Sequence, residues 1–179
     1  MFKNKVILIT GGSRGIGRAA AIKFAKENAK VIIVYKGNKN AATEVVNECS
    51  KFGAQIKLIQ ADVSKQNDLD KIVKEALSFY GRIDILVNNA GIVYDREFEE
   101  ITYEESLNIV KTNMLAPLFL SQKIAPLMVK QGSGKIINVS STSGMYDFNP
   151  GTADYAMTKI ALQSLTKDLS MIVCTNNKC

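Results

Sequence analysis

Short β-branched runs alternate with longer segments of helical period along almost the whole chain, and no other feature constrains the fold as much. Val6–Thr10, Val31–Tyr35, Ile56–Gln60, Ile85–Asn88 and Lys135–Val139 are near-continuous apolar runs. Runs of that length and character read as strands buried on both faces. Between them lie Ile16–Asn28, Ala41–Phe52, Asn67–Tyr80 and a long stretch, Tyr103–Gln131, all of helical period. Thr102 with Glu105 has the spacing of a capping box at the start of the last one. Pro117 and Pro126 are expected to bend or divide it. Strand, helix and strand in regular succession predict right-handed βαβ units on an open parallel sheet, hence one α/β domain. It is expected to span 1–170 and to leave 171–179 as an atypical tail.

Composition narrows the chemistry by exclusion. The 179 residues contain no histidine, which removes Ser-His-Asp and Cys-His catalysis and every imidazole metal site. Acid–base work must fall to Tyr, Lys, Asp, Glu or Cys. Cys49, Cys174 and Cys179 show no metal-ligand spacing, and an odd number argues against a disulfide framework. With 46% hydrophobic and 22% charged residues the chain is too apolar for disorder. It has no run long enough to span a bilayer and no cleavage-like site after Val6–Ile9. A cytoplasmic protein is expected, without a membrane partner. The net charge of +6 is dispersed, with no basic block and no basic–aromatic stripe. No nucleic-acid partner is therefore expected.

The first strand runs into Thr10-Gly11-Gly12-Ser13-Arg14-Gly15-Ile16-Gly17, and a helix follows. Glycines there let the backbone take positive φ and let a pyrophosphate approach the main chain. The free N–H groups and positive dipole at the helix start hold the anion. A dinucleotide fold that prefers NAD carries an acidic residue near the end of strand two. Here strand two ends at Tyr35-Lys36, and no Asp or Glu occurs between Asn28 and Thr43. A missing carboxylate, with Arg14 and Lys36 close to the expected ribose position, fits a 2′-phosphate. NADP(H) is the expected cofactor, ahead of NAD(H).

Later residues carry a resemblance. Asn88-Asn89-Ala90-Gly91 follows strand four, Asn113 sits in the long helix, Ser141 follows strand five, and Tyr155 stands four residues before Lys159. In this order, with the glycine turn, they resemble the classical short-chain dehydrogenase/reductase family, and most of all its 3-oxoacyl-acyl-carrier-protein reductases. The resemblance covers about Lys5 to Ser170. It implies a Rossmann-like doubly wound sheet of five strands in the order 3-2-1-4-5, with the family's last two strands missing. It implies hydride exchange with a carbonyl or alcohol carbon, 3-oxoacyl thioesters being one candidate substrate.

The implied catalytic group is Asn113, Ser141, Tyr155 and Lys159. Gly11, Gly12, Ser13, Arg14, Gly15, Ile16, Gly17, Tyr35, Lys36, Asp62, Val63, Asn89, Ala90 and Gly91 are expected around the cofactor, with Tyr155 and Lys159 at its reactive end. Ser141 would hold the substrate carbonyl, although Ser140, Thr142 and Ser143 leave that position open by a residue or two. Asn113 would help hold a water beyond Lys159. Asp62 would accept from the adenine amino group, or else cap the next helix, where Ser64 is better placed.

The acid–base pair can be argued on its own. Residues four apart on a helix share a face, so Lys159 and Tyr155 address one groove. Bringing a tyrosine from a pKa near 10 to about 7 takes roughly 4 kcal/mol. An ammonium about 4 Å away supplies roughly that much at an effective dielectric of 20.

The chain departs from the family after Ser170, where the expected continuation into a sixth strand is replaced by Met171–Cys179. Strand five is then an exposed apolar edge, a site for association. Relatives pair through helices matching 103–131 and 155–170, so a homo-oligomer is expected. Two readings stay open: an NADP(H)-linked enzyme, and a shortened relative that binds dinucleotide or self-associates without turnover.

Overall fold

A computed structural model describes residues 2–176, with side chains through 172. Five parallel strands, β1 (Val6–Thr10), β2 (Lys30–Tyr35), β3 (Ile56–Gln60), β4 (Ile85–Asn88) and β5 (Lys135–Asn138), form one sheet in the order β3-β2-β1-β4-β5. This is the expected Rossmann-like topology. The reversal between β1 and β4 opens a crevice at the carboxyl ends of the strands.

Alternating side chains serve two cores. Ile7, Ile9, Val31, Ile33, Ile85 and Val87 point to the face covered by α1 (Gly15–Lys26) and α2 (Lys39–Ser50), through Ala21, Ala25, Val45 and Cys49. Leu8, Ile32, Val34, Ile59 and Leu86 point the other way. They meet α3 (Gln66–Tyr80) and α5 (Ala116–Lys130) through Leu69, Ile72, Leu120 and Ile124. β1, β2 and β4 are buried on both faces, as runs of β-branched residues predict. β3 and β5 are not, because each is an edge: Lys57 and Gln60 are exposed, and Ile137 is 43% exposed. Among the described residues no helix is long and apolar enough to cross a membrane.

Helix ends follow local chemistry. α1 stops before Asn28, whose φ of 59° is left-handed. α3 ends at Gly81, φ 70°, whose N–H returns to the Leu77 carbonyl. α3 begins at Lys65 with no side-chain cap, so neither Asp62 nor Ser64 plays the expected capping role. At Thr102 the hydroxyl accepts from Glu105 N–H and donates to the Glu105 carboxylate, which caps α4 (Tyr103–Val110).

The long 103–131 segment is divided, although at neither proline. A π-helical turn, Lys111–Leu115, separates α4 from α5, and Pro126 lies inside α5. Pro117 still explains the break. It has no N–H, so the carbonyl of Asn113, four residues earlier, lacks the donor an α-helix would supply. The last helix, α6, runs Ala153–Asn176 and so passes the expected boundary at 170; residues 177–179 of the expected tail lie outside the described residues.

Candidate active site

All five strands end on one cleft of about 600 Å³. Its floor at one end is the turn from β1 into α1, and at the other end stand Val139, Ser140, Tyr155 and Lys159. Gly11, Ser13, Arg14, Gly15, Ile16, Lys36, Asp62, Val63, Asn89, Ala90 and Gly91 line it as well. Gly12, Gly17 and Tyr35 do not, because each is buried against the fold. A Cβ on Gly12 would stand 2.8 Å from Ile33 Cγ2, one on Gly17 would stand 2.5 Å from Asn89 Nδ2, and Tyr35 is 6% exposed. These glycines shape the turn from behind.

The Asn88–Gly91 turn is tied to β1. Thr10 Oγ1 accepts from the N–H groups of Asn89 and Ala90, both at 3.0 Å. Asn89 Nδ2 donates to the carbonyls of Thr10 and Gly11. Asn88 is buried and donates to Ser121 and Asn138. The turn therefore holds β1, β4 and β5 in register as well as forming a wall.

The two cations near the end of β2 differ. Lys36 Nζ lies 2.9 Å from Asp62 Oδ2, and Ser64 bonds the other oxygen through its N–H and hydroxyl. Burial alone would raise the Asp62 pKa, but the Lys36 and Ser64 hydrogen bonds hold it below the ordinary value. Arg14 is exposed, and its guanidinium has no hydrogen-bond or ion-pair partner among the described residues.

At the other end Lys159 is 4% exposed, and its Nζ donates to the Val139 carbonyl at 2.8 Å. The same nitrogen lies 5.6 Å from the centroid of the Tyr155 ring. Burial lowers its pKa below the usual lysine value. Asn113, fully buried, accepts from Ile92 N–H at 2.9 Å and donates to the Ile92 carbonyl at 2.8 Å. A Cβ on Gly91 would stand 3.5 Å from both Asn113 Oδ1 and Lys159 Nζ. Asn113 thus clamps the irregular segment at Gly91–Ile92 beside the lysine, and its side chain is neither solvated nor a cap.

Of the two serines, Ser140 faces the cleft and donates to the Lys159 carbonyl at 2.7 Å. Ser141, half-buried, bonds within its own turn to Ser143 and does not line the cleft. Ile92, Tyr94, Asn108 and Thr112 also line it and were not foreseen. Asn108 and Thr112 lie one helical turn apart, a signal that was present beside Asn113. Tyr94 lies in an irregular segment with no such signal.

The sequence model of the family described as short chain dehydrogenase matches residues 5–177. The chain is similar to a 3-oxoacyl-acyl-carrier-protein reductase FabG of Staphylococcus epidermidis, 40% identical over 164 residues, which covers 92% of this chain and 67% of that protein. It is similar, at 39% identity over 170 residues, to an uncharacterized oxidoreductase of Thermotoga maritima, covering 95% of this chain and 66% of that one. The chain spans about two thirds of the length of such relatives. Among solved structures, a metagenomic short-chain oxidoreductase in complex with NADP superposes with a TM-score of 0.91 at 28% identity, over 98% of this chain and 79% of that one. A family model that matches residues 5–177 and relatives 40% identical over 92% of the chain show that the chain belongs to the short-chain dehydrogenase family of oxidoreductases.

Proposed function

We propose that the chain is an NADP(H)-dependent oxidoreductase that exchanges hydride between nicotinamide and a carbonyl or alcohol carbon, with 3-oxoacyl thioesters as the substrate class. The observation that carries this reading is Lys159, buried and bonded to Val139, beside the Tyr155 ring on the rim of the cleft.

The residues present fit a dinucleotide. Gly11, at φ 66°, leaves no room for a Cβ against Ala90, and a Cβ on Gly15 would meet nothing within 4 Å. The turn at the start of α1 therefore offers open backbone to a pyrophosphate. Arg14 is the free cation for a 2′-phosphate, with Lys36 reaching it only by sharing its charge with Asp62. Asp62 keeps acceptor capacity for an adenine amino group. The solved relative in complex with NADP supports the choice of cofactor, and the similarity to 3-oxoacyl-acyl-carrier-protein reductases supports the substrate class.

Bound nicotinamide supplies the hydride. In reduction, Tyr155 gives its hydroxyl proton to the carbonyl oxygen as the carbon receives hydride. In oxidation the phenolate takes that proton back. The Lys159 ammonium favours the phenolate by simple attraction. Asn113 and Ile92 hold the wall over Lys159, and a hydrogen bond from Ser141 to the substrate oxygen requires its hydroxyl to turn from Ser143 into the cleft.

Pairing with a second copy through the α4–α5 and α6 faces belongs to the same reading. Tyr103 at 78%, Met157 at 73% and Leu118 at 40% exposure are apolar side chains that such pairing would cover. NADPH oxidation with a panel of ketones and 3-oxoacyl thioesters tests the function, and size exclusion tests the pairing. Tight NADPH binding without turnover would turn the reading toward a dinucleotide-binding relative.

A further inference from the structure

Arg96 and Asp154 form a buried ion pair outside the predicted site. Arg96 Nη2 lies 2.8 Å from Asp154 Oδ2, and the two side chains are 8% and 10% exposed. The same Oδ2 accepts from Ser106 Oγ at 2.9 Å, while Oδ1 accepts from the Tyr155 backbone N–H at 2.9 Å. Arg96 donates through Nη1 to the Tyr94 carbonyl, and its guanidinium lies 5.4 Å from the Tyr94 ring centroid. The Tyr94 hydroxyl accepts from Asn108, and both residues line the cleft. Glu105 flanks Arg96 Nε at 3.3 Å. Gly151, just before α6, is packed so closely under the Arg96 carbonyl that a Cβ has no room.

We infer that this pair is a positioning device: Arg96 and Asp154 fix the first turn of α6 against α4 and the 92–97 segment, and thereby set where the Tyr155 hydroxyl stands in the cleft. The inference rests on the oxidoreductase reading above. Stability is a poor explanation for such a pair. Two charges removed from water are repaid only by good geometry, and apolar replacements of similar volume are often neutral or stabilising. Orientation is what the geometry does supply. One carboxylate oxygen holds the N–H of Tyr155 itself, and the other is held by α4 and by the segment that forms the cleft wall. The first turn of a helix has N–H groups with no intrahelical acceptor, so an external acceptor there decides its alignment. Misplacing a catalytic group by about 1 Å costs on the order of 100-fold in rate.

The test compares wild type, Arg96→Met, Arg96→Lys and the paired apolar variant Arg96→Met/Asp154→Leu, with Tyr155→Phe in the same NADPH-linked assay. The paired variant leaves no buried unmatched charge, since Glu105, the other partner of Arg96, is 40% exposed and can be hydrated; it is expected to regain the wild-type melting temperature that Arg96→Met loses. Its kcat is expected to stay down by about 10-fold or more, with KM and the NADPH Kd within about threefold. Arg96→Lys is expected to recover part of the kcat lost in Arg96→Met. Amide exchange by NMR reads the same device without turnover: residues 153–158 should exchange faster in Arg96→Met, while later turns of α6 stay protected. A paired variant with wild-type kcat, or unchanged exchange at 153–158 in Arg96→Met, overturns the inference. If Tyr155→Phe leaves turnover intact, or wild type has none, the oxidoreductase reading fails instead, and the exchange result alone decides the device.

Discussion

Lys159 stands one helical turn beyond Tyr155, its ammonium nitrogen 5.6 Å from the centre of the phenol ring and tied at 2.8 Å to the carbonyl of Val139, the residue after β5. The hydrogen bond and the burial of the lysine hold its charge beside the phenol ring. The bond fixes α6 to the sheet. Holding a cation in such a place works against the fold, since burial disfavours the ammonium.

That conflict predicts a pH signature. The folded-state pKa of Lys159 lies below its usual 10.5. The penalty is thus fully present below the folded-state value and is relieved as pH rises from there toward 10.5. Urea unfolding of wild type and Lys159→Met at pH 7 and pH 10 should show wild type gaining on the variant at the higher pH. Groups common to both chains cancel in that difference. A difference that is constant or falls with pH would place the ammonium in water.

Arg14 and Lys36 should contribute unequally to NADPH affinity. Arg14 is free, whereas Lys36 is paired with Asp62 at 2.9 Å. Losing one charge-assisted contact to a phosphate costs about 1.5–3 kcal/mol, or about 10–100-fold in Kd. Arg14→Ala should weaken NADPH by that factor and leave NADH almost unchanged, as read by fluorescence titration. Lys36→Ala should weaken NADPH by about threefold or less. Equal losses for both cofactors in Arg14→Ala would remove the 2′-phosphate assignment.

Gly17→Ala should damage the turn although Gly17 does not line the cleft. Its Cβ would meet Asn89 Nδ2 and the Gly11 carbonyl, both at 2.5 Å. Crowding of this kind costs about 1–3 kcal/mol. The expected result is a lower melting temperature together with weaker NADPH binding, because the same shift moves Gly11. Thermal melts with and without NADPH check it.

Much of this arrangement was legible in the sequence, for reasons that differ by element. β1, β2 and β4 were placed within a residue because burial on both faces writes a continuous apolar run. β3 has the same β-branched character yet is half-exposed, since edge position is a property of the sheet and not of the segment. The π-helical turn escaped because a proline signals a missing donor, while the break it causes falls on the residues before it. Tyr155 and Lys159 were readable because a helix converts four-residue spacing into one face. Arg96 and Asp154 were not: 58 residues separate them, and only the folded chain joins them. Gly12 and Gly17 were read as contacts and are in fact the turn's backing.

Acid should unfold the protein through its buried carboxylates. Asp84 accepts from Val6 N–H at 2.9 Å and from Arg82 at 2.6 and 3.1 Å. Burial raises its pKa, but Arg82, the Val6 N–H and Lys5 outweigh it and hold the value below 3.8. Burial and the Arg96, Ser106 and Tyr155 contacts leave Asp154 low in the same way. The stability these groups contribute is present above pH 3.8 and is lost as pH falls through their folded-state values. Asp84→Asn should cost about 1–2 kcal/mol at pH 7, modest because Arg82 and Lys5 are each 45% exposed and can be rehydrated. It should also flatten the acid limb of stability below pH 3.8. An unchanged limb would mean that Asp84 ionises normally.

The Tyr155 hydroxyl is the proposed proton donor, and one substitution isolates it. Tyr155→Phe removes a single oxygen from a side chain of the cleft lining and leaves the turn at the start of α1 untouched. With NADPH and a 3-oxoacyl thioester, single-turnover rates should fall by about 100- to 10,000-fold, while the NADPH Kd stays within twofold of wild type. A variant that reduces the thioester at the wild-type rate would show that the proton comes from another group.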